Sequence, residues 1–260
     1  MEKVEVLITT MDMTSSHELV ERMNIRTDAF IGNQTDHNYI SNEVIHEHNV
    51  KIFSFEERGV GLNRNNLLMR TDADYCLFGD DDLVYVDDYE KIVKEQFKNN
   101  PDADILIFNL EEVNSQRYQI TQKFKVNYFN FMRFGAARVA IRKKSISLNA
   151  IYFNQNFGGG CQYSNGEDTL FLCECLKKKL NIYALPITIA KLTNERESSW
   201  FEGYTDKYFN DKGMLYYIMS KKYYKLLCLQ DAIRHRKDYQ KPFCYIMEIM
   251  LKGVKNEFKV

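Results

Sequence analysis

Three consecutive acids, Asp80-Asp81-Asp82, directly follow the apolar run 75–78 and Gly79, and lead into Leu83-Val84-Tyr85. In an open α/β sheet ligands gather at the carboxyl ends of strands, which is where these acids are expected. Extended backbone sends Asp80 and Asp82 to one side and Asp81 to the other, and a divalent cation would relieve their repulsion. Oxygen donors suit Mg²⁺ or Mn²⁺ held by one or two carboxylates plus phosphate oxygens; the bland alternative is a solvated acidic turn. A second feature, Arg58-Gly59-Val60-Gly61-Leu62-Asn63-Arg64-Asn65, is a glycine-bearing loop running into a helix with two arginines. Glycines permit close backbone approach and arginine suits phosphate, although neither the P-loop lysine nor a GxGxxG spacing is present and a GxG of this kind is more often an ordinary turn. The third is Phe157-Gly158-Gly159-Gly160, followed by Asn165-Gly166-Glu167-Asp168 at a helix start. There the dipole favours an ionised acid, which is either a capping group or a general base toward a hydroxyl. His46-Glu47-His48 fits a solvated loop better than a metal site, and no histidine has the neighbours of a hydrolase triad.

The elements that must position these residues alternate. Residues 4–9, 29–32, 50–55, 75–78 and 103–109 are expected as strands; Ser15-x-x-Glu18 is a capping box opening a helix through Met23, and 63–70 and 88–99 are further helices. This rhythm predicts a mostly parallel central sheet with helices on both faces. Residues 118–126 and 136–141 are expected as strands without a long crossover, hence with mixed pairing, followed by a helix over 167–179, a short strand at 182–185 and a helical remainder from Gly203. The domain reading is 1–205 as one α/β unit, divided into halves 1–110 and 111–205, with 206–260 a helical extension.

Composition bounds the partners. The chain has 260 residues, 45% of them apolar, enough for a large core and not for a disordered tail. Its 35 basic and 36 acidic residues nearly cancel, which gives nucleic-acid binding no support. From Lys221 onward the balance is net +6, against net −7 before it. In that basic extension Phe243, Tyr245, Ile246, Met247, Ile249, Met250 and Leu251 are densely apolar. The segment is expected at an anionic lipid interface or a contact with a second copy, the alternative being packing on the core. The six cysteines are scattered and carry no zinc or redox spacing. Glu2, Lys3 and Glu5 interrupt any apolar leader, and no run approaches the roughly 18 apolar residues of a spanning helix. A cytoplasmic protein, peripheral at the inner face of a membrane, is the expected location.

Taken in order, these motifs resemble those of family 2 glycosyltransferases with the GT-A (Rossmann-like) fold, of the kind that builds bacterial capsule, O-antigen and other surface polysaccharides. Leu7-Ile8-Thr9-Thr10-Met11-Asp12 stands where that family has its first strand and nucleotide pocket. Gly32-Asn33-Gln34-Thr35-Asp36 stands at its uracil-contacting strand end, with Asn33 in place of the usual aspartate. Gly61-Leu62-Asn63-Arg64-Asn65 looks like its G-x-x-x-RN segment, Asp80-Asp81-Asp82 like its DxD, and Gly166-Glu167-Asp168 like its acceptor-side ED motif. The resemblance implies a metal-dependent inverting hexosyltransferase taking a nucleotide-sugar, with UDP expected, and a saccharide acceptor, lipid-linked. Thr9, Thr10, Asn33, Gln34, Arg64, Asp80 and Asp81 would then bind the nucleotide-sugar, and Asp82 with Asp80 the Mn²⁺ or Mg²⁺. Asp168 would be the base, while Gly159, Gly160, Glu167 and Trp200 would shape the acceptor cleft. No histidine follows the ED motif within 193–200, and Arg196 is the substitute charge for the leaving group. The competing classes are a metal-dependent nucleotidyltransferase or phosphohydrolase and a non-catalytic saccharide-binding partner.

Overall fold

A computed structural model describes residues 2–112, 118–193 and 203–257. The strands are β1 (Val4–Met11), β2 (Asp28–Gln34), β3 (Tyr39–Ile45), β4 (His48–Phe55), β5 (Tyr75–Asp80), β6 (Leu83–Tyr85), β7 (Ile105–Glu111), β8 (Phe124–Lys125), β9 (Val139–Arg142) and β10 (Ile182–Leu192). The helices are α1 (Ser16–Arg22), α2 (Val60–Arg70), α3 (Tyr89–Asn99), α4 (Lys143–Leu148), α5 (Glu167–Lys177), α6 (Asp206–Met219), α7 (Tyr224–Arg234), α8 (Arg236–Tyr239) and α9 (Phe243–Glu257). One sheet runs in the order β3-β4-β2-β1-β5-β9-β7-β10-β6. Its centre, β4-β2-β1-β5, is parallel, and β9 joins antiparallel to both β5 and β7. The central strands are apolar on both faces because both are covered. Leu7 of β1 and Phe30 of β2 face one core with Leu67 and Leu68 of α2 and Phe171 of α5. Val6, Ile8 and Ile31 face the other with Leu19 of α1 and Val93 and Phe97 of α3.

Several elements depart from the sequence expectation: Ala136–Arg138, expected within a strand over 136–141, form a 3-10 turn before β9, and α4 was not expected. β3 was not expected; it is an exposed edge strand paired antiparallel to β4. Its two-residue turn is His46-Glu47, both at positive φ (49° and 68°), the conformation that matches strand twist in tight hairpins. The expected strand 118–126 shrinks to Phe124–Lys125, because Ile120 bonds its backbone to the side chain of Asn109 instead of a ladder. β10 extends well past Leu185, with register shifts on either side of Thr188 that let the sheet absorb Pro186.

The C-terminal helices share the core that covers α5, through Phe209, Leu215, Cys228, Ile246 and Met250. The apolar stripe of α9 packs on this core: Ile246 and Met250 are fully buried, while Phe243, Met247 and Ile249 are partly buried against the same core. Gly213 of α6 makes this possible, since a Cβ there would stand 2.0 Å from the Met250 carbonyl oxygen of α9. A buried polar knot fixes α7 against α6: Asp231 accepts from Lys212 Nζ (2.7 Å), Tyr216 Oη (2.7 Å) and Tyr239 Oη (2.6 Å). Among the described residues no helix is long and apolar enough to cross a membrane.

Candidate active site

Parallel pairing brings the carboxyl ends of β2, β1 and β5 together so that Gly32, Thr9 and Asp80 lie in one row across three strands. Helix α2 covers that row, and the N-terminus of α5 meets it from the far side. At the junction is Arg64, whose side chain is 3% exposed and so must find anions. Its Nη2 donates to Asp80 Oδ1 at 2.7 Å; its Nη1 donates to Asp168 Oδ1 at 2.7 Å and Glu167 Oε1 at 3.2 Å. The guanidinium also lies over the Phe153 ring, 5.3 Å from its centroid. Burial opposes the charge on Arg64, but the fields of Asp80, Asp168 and Glu167 outweigh it and raise its pKa. One buried cation thus ties the DxD-like segment to the ED segment, almost ninety residues later in the chain. The sequence suggested phosphate for Arg64 and gave no sign of this bridge, except that an arginine three and four residues before the buried Leu67 and Leu68 shares their inward stripe.

The two acids of α5 are in different states. Asp168 is held at both oxygens: Oδ1 by Arg64 and Oδ2 by the Ala136 backbone N–H at 2.9 Å, a contact no side-chain pattern could reveal. Glu167 is 12% exposed, and burial, reinforced by the charge of Asp168 and opposed by Arg64, raises its pKa to about 8. Since the native state then binds that proton more tightly than the unfolded chain, stability should fall as pH rises from the ordinary 4.5 toward 8. Glu167→Gln is expected to remove a pH-dependent loss on the order of 2 kcal/mol between about pH 5 and pH 8. Urea unfolding at the two pH values checks it; equal losses in wild type and variant would refute it.

Gly158–Gly160 bridge the two helix starts. Gly159 O accepts the Val60 N–H of α2 at 3.1 Å, a Cβ on Gly160 would approach Gly59 N within 3.1 Å, and one on Gly158 would come within 2.9 Å of the Glu167 carboxyl. Gly159 itself faces open space.

On the nucleotide side the expected residues divide. Asp81 turns away from Asp80: Thr10 Oγ1 donates to its Oδ2 at 2.6 Å and Arg22 Nη2 to its carbonyl at 3.1 Å. Together with Asp12, Met13 and Ser15 they line a cleft of about 160 Å³ at the start of α1. Asn33 and Gln34 also bond to the scaffold. Asn33 Oδ1 accepts Met13 N at 3.0 Å and its Nδ2 donates to Ser54 Oγ at 3.3 Å, while Gln34 Oε1 accepts Gly59 N at 2.7 Å. By contrast, Thr9 Oγ1, both amide atoms of Asn63 and Arg64 Nε are buried and find no partner among the described residues. Asn63 is pressed so close to Gly32 that a Cβ there would lie 2.1 Å from Asn63 Oδ1. Buried polar groups without partners are uncommon, and these lie along the row Gly32–Thr9–Asp80, where water or a polar ligand would satisfy them.

The carbonyl of Asp82 accepts from Thr193 N (2.8 Å) and Thr193 Oγ1 (2.9 Å), which fastens the acidic segment to the end of β10. Among the described residues no group of three or more His, Cys, Asp or Glu side chains is placed to hold a metal ion. Asp80 and Asp82 offer hard oxygen donors that fit Mg²⁺ or Mn²⁺ when ligand oxygens complete the shell. Trp200, Arg196 and the neighbouring Ser198 and Ser199 lie outside the described residues.

No curated protein matches the chain by sequence. Among solved structures, S. aureus TarS 1–349 in complex with UDP-GlcNAc is similar, with a TM-score of 0.64 and 16% identity over 90% of this chain and 72% of that one. TarS 1–349 alone gives 0.62 and 14%, covering 99% and 93%, and its complex with UDP gives 0.59 and 16%, covering 90% and 71%. At these identities the likeness is one of fold. The sequence profile described as glycosyl transferase family 2 matches residues 18–155, just over half of the chain and the stretch that carries Asn33, Arg64 and Asp80–Asp82, so the chain belongs to glycosyl transferase family 2.

Proposed function

We propose that this glycosyltransferase moves a hexose, with inversion, from a UDP-sugar to a hydroxyl of a saccharide acceptor, lipid-linked, in surface-polysaccharide synthesis. The observation that carries the reading is Arg64 joining Asp80, on the donor side, to Asp168, on the acceptor side. That the similar TarS structures hold UDP-GlcNAc and UDP supports a uridine donor. In this reading residues 1–110 bind the donor, 111–205 the acceptor, and 206–260 form the helical extension.

Asp168 takes the proton from the acceptor hydroxyl, whose oxygen attacks the anomeric carbon. The bond from that carbon to the diphosphate oxygen breaks on the opposite face, and UDP leaves with the electron pair. Asp168 has the capacity for this role: each carboxylate oxygen accepts one hydrogen bond here and keeps a second lone pair. Glu167 remains protonated at neutral pH, so the site carries one fewer negative charge facing the diphosphate. Thr9, Thr10, Asn63 and Asp81 line the donor side, with Asn33 and Gln34 shaping it from behind. Gly159, Gly160 and Trp200 are assigned to the acceptor cleft. Asp82 and Asp80 would hold Mn²⁺ or Mg²⁺, which when bound supplies positive charge against the departing diphosphate.

Calorimetric titration of nucleoside diphosphates with and without Mn²⁺, on wild type and Asp82→Ala, tests the donor half. UDP is expected to bind at least about tenfold more tightly with Mn²⁺, a dependence that Asp82→Ala abolishes. If no nucleoside diphosphate binds under either condition, the assignment of this site to a nucleotide-sugar fails.

A further inference from the structure

Helix α7 is held to the protein by one side and is apolar on the other. Its inward face consists of Cys228, Asp231 and Ala232, all buried, with Asp231 locked into the knot with Lys212, Tyr216 and Tyr239. The opposite face presents Tyr223, Leu226, Leu229 and Ile233 to solvent, with Leu226 60% and Ile233 61% exposed. Spacings of three, three and four residues put all four on one stripe. A helix anchored through its inward face gains nothing in folding from a second apolar stripe pointing outward, and such a stripe marks a contact surface.

The charge around the stripe says what kind. Lys225 and Arg234 flank it on the helix, and Lys221, Lys222, Arg236 and Lys237 stand at its two ends, all exposed. Between Lys221 and Lys237 the sequence has a single acid, Asp231, and that one is buried and paired with Lys212. A stripe of leucine, isoleucine and tyrosine rimmed by six lysines and arginines, with Asp238 the one exposed acid at its end, is complementary to an anionic bilayer, where apolar groups enter the acyl boundary and cations meet the lipid phosphates.

We infer that α7 is a membrane-docking helix which lays its Tyr223–Leu226–Leu229–Ile233 stripe into the interface of anionic lipid. The attachment is peripheral, and it is made by α7 rather than by α9, whose apolar side is already covered. It rests on no particular donor or acceptor.

Flotation of the full chain with phosphatidylcholine vesicles, and with vesicles of equal parts phosphatidylcholine and phosphatidylglycerol, tests it. Wild type should float with the anionic vesicles at low ionic strength, bind neutral ones at least about tenfold less, and be released by high salt. Leu226→Ser/Ile233→Ser should abolish binding at any salt. Lys222→Glu/Lys225→Glu/Arg234→Glu should weaken it by about two orders of magnitude. These side chains are exposed, so unfolding midpoints and UDP affinity serve as controls for an intact fold. Lys252→Glu/Lys255→Glu on α9 should change binding less than about threefold. Binding that survives the serine double variant, or that the α9 variant removes, overturns the assignment. So does wild type that ignores anionic vesicles. If it also scatters light as a dimer that the serine double variant converts to monomer, the stripe belongs to a second copy.

Discussion

Arg64→Met is expected to destabilise the protein by about 3–5 kcal/mol at about pH 8, the largest single effect in the site. The arginine is almost wholly buried and its three partners differ in what they can fall back on. Asp80, 39% exposed, can turn to water, and Asp168 keeps the Ala136 N–H. Glu167, 12% exposed, has neither a cation nor bulk water once the guanidinium is gone. Glu167, which already binds its proton more tightly in the native state than in the unfolded chain, then loses the cation that opposes this. The penalty must therefore shrink as pH falls toward about 5 and Glu167 is neutralised. Arg64→Lys should recover only part of the loss, because one ammonium on a flexible stem cannot reach acids on both β5 and α5 in the way a planar fork does. Urea unfolding of both variants at the two pH values provides the check. A loss below about 1 kcal/mol at the higher pH would mean that the bridge is incidental to the fold.

How much of this was legible beforehand depended on where the information is stored. The strand ends were legible, since apolar runs followed by Thr9-Thr10, Asn33-Gln34 and Asp80-Asp81-Asp82 announce both a buried strand and its exit toward solvent. The capping box at Ser15 was equally local, and Ser15 Oγ does accept the Glu18 N–H at 3.3 Å. β3 escaped because an exposed edge strand needs no apolar alternation, and its turn uses His46-Glu47 where glycine or asparagine would have flagged it. The segment around Ile120 had strand-like composition, yet a single side chain, Asn109, captured its backbone. For α9 the apolar density is visible in the sequence, while the core packing that was its alternative depends on α6, where Gly213 lets the two helices approach, a property of two helices together. For α7 the same reasoning runs the other way: Leu226 and Ile233 look like core residues in sequence, and only the burial of Asp231 on the far side shows which face is left outside.

Asp168→Asn should lower the transfer rate by about two to four orders of magnitude, the size expected for loss of a general base, while leaving UDP affinity within about threefold of wild type. The substitution suits the site geometrically. The asparagine oxygen can still accept from Arg64 Nη1, but the Ala136 N–H loses its acceptor and the buried Arg64 one of its counter-charges, a change on the order of 2–3 kcal/mol in stability. What the amide cannot do is take a proton from a hydroxyl. A steady-state comparison of kcat and KM, alongside UDP binding to each protein, separates this role from a structural one. A loss of binding equal to the loss of rate would place Asp168 in the donor site, reached through Arg64 and Asp80. An unchanged rate would remove it from the chemistry, and the raised pKa of Glu167 would then matter in a new way. A carboxyl that holds its proton up to about pH 8 is a poor base at neutrality but a competent one above it, so a Glu167-driven reaction would accelerate through that pH. With Asp168 as the base, deprotonating Glu167 adds a negative charge where the acceptor oxyanion and the diphosphate must coexist, and the rate should decline over the same interval. The slope of the rate between about pH 7 and pH 9 therefore discriminates between the two acids independently of any variant.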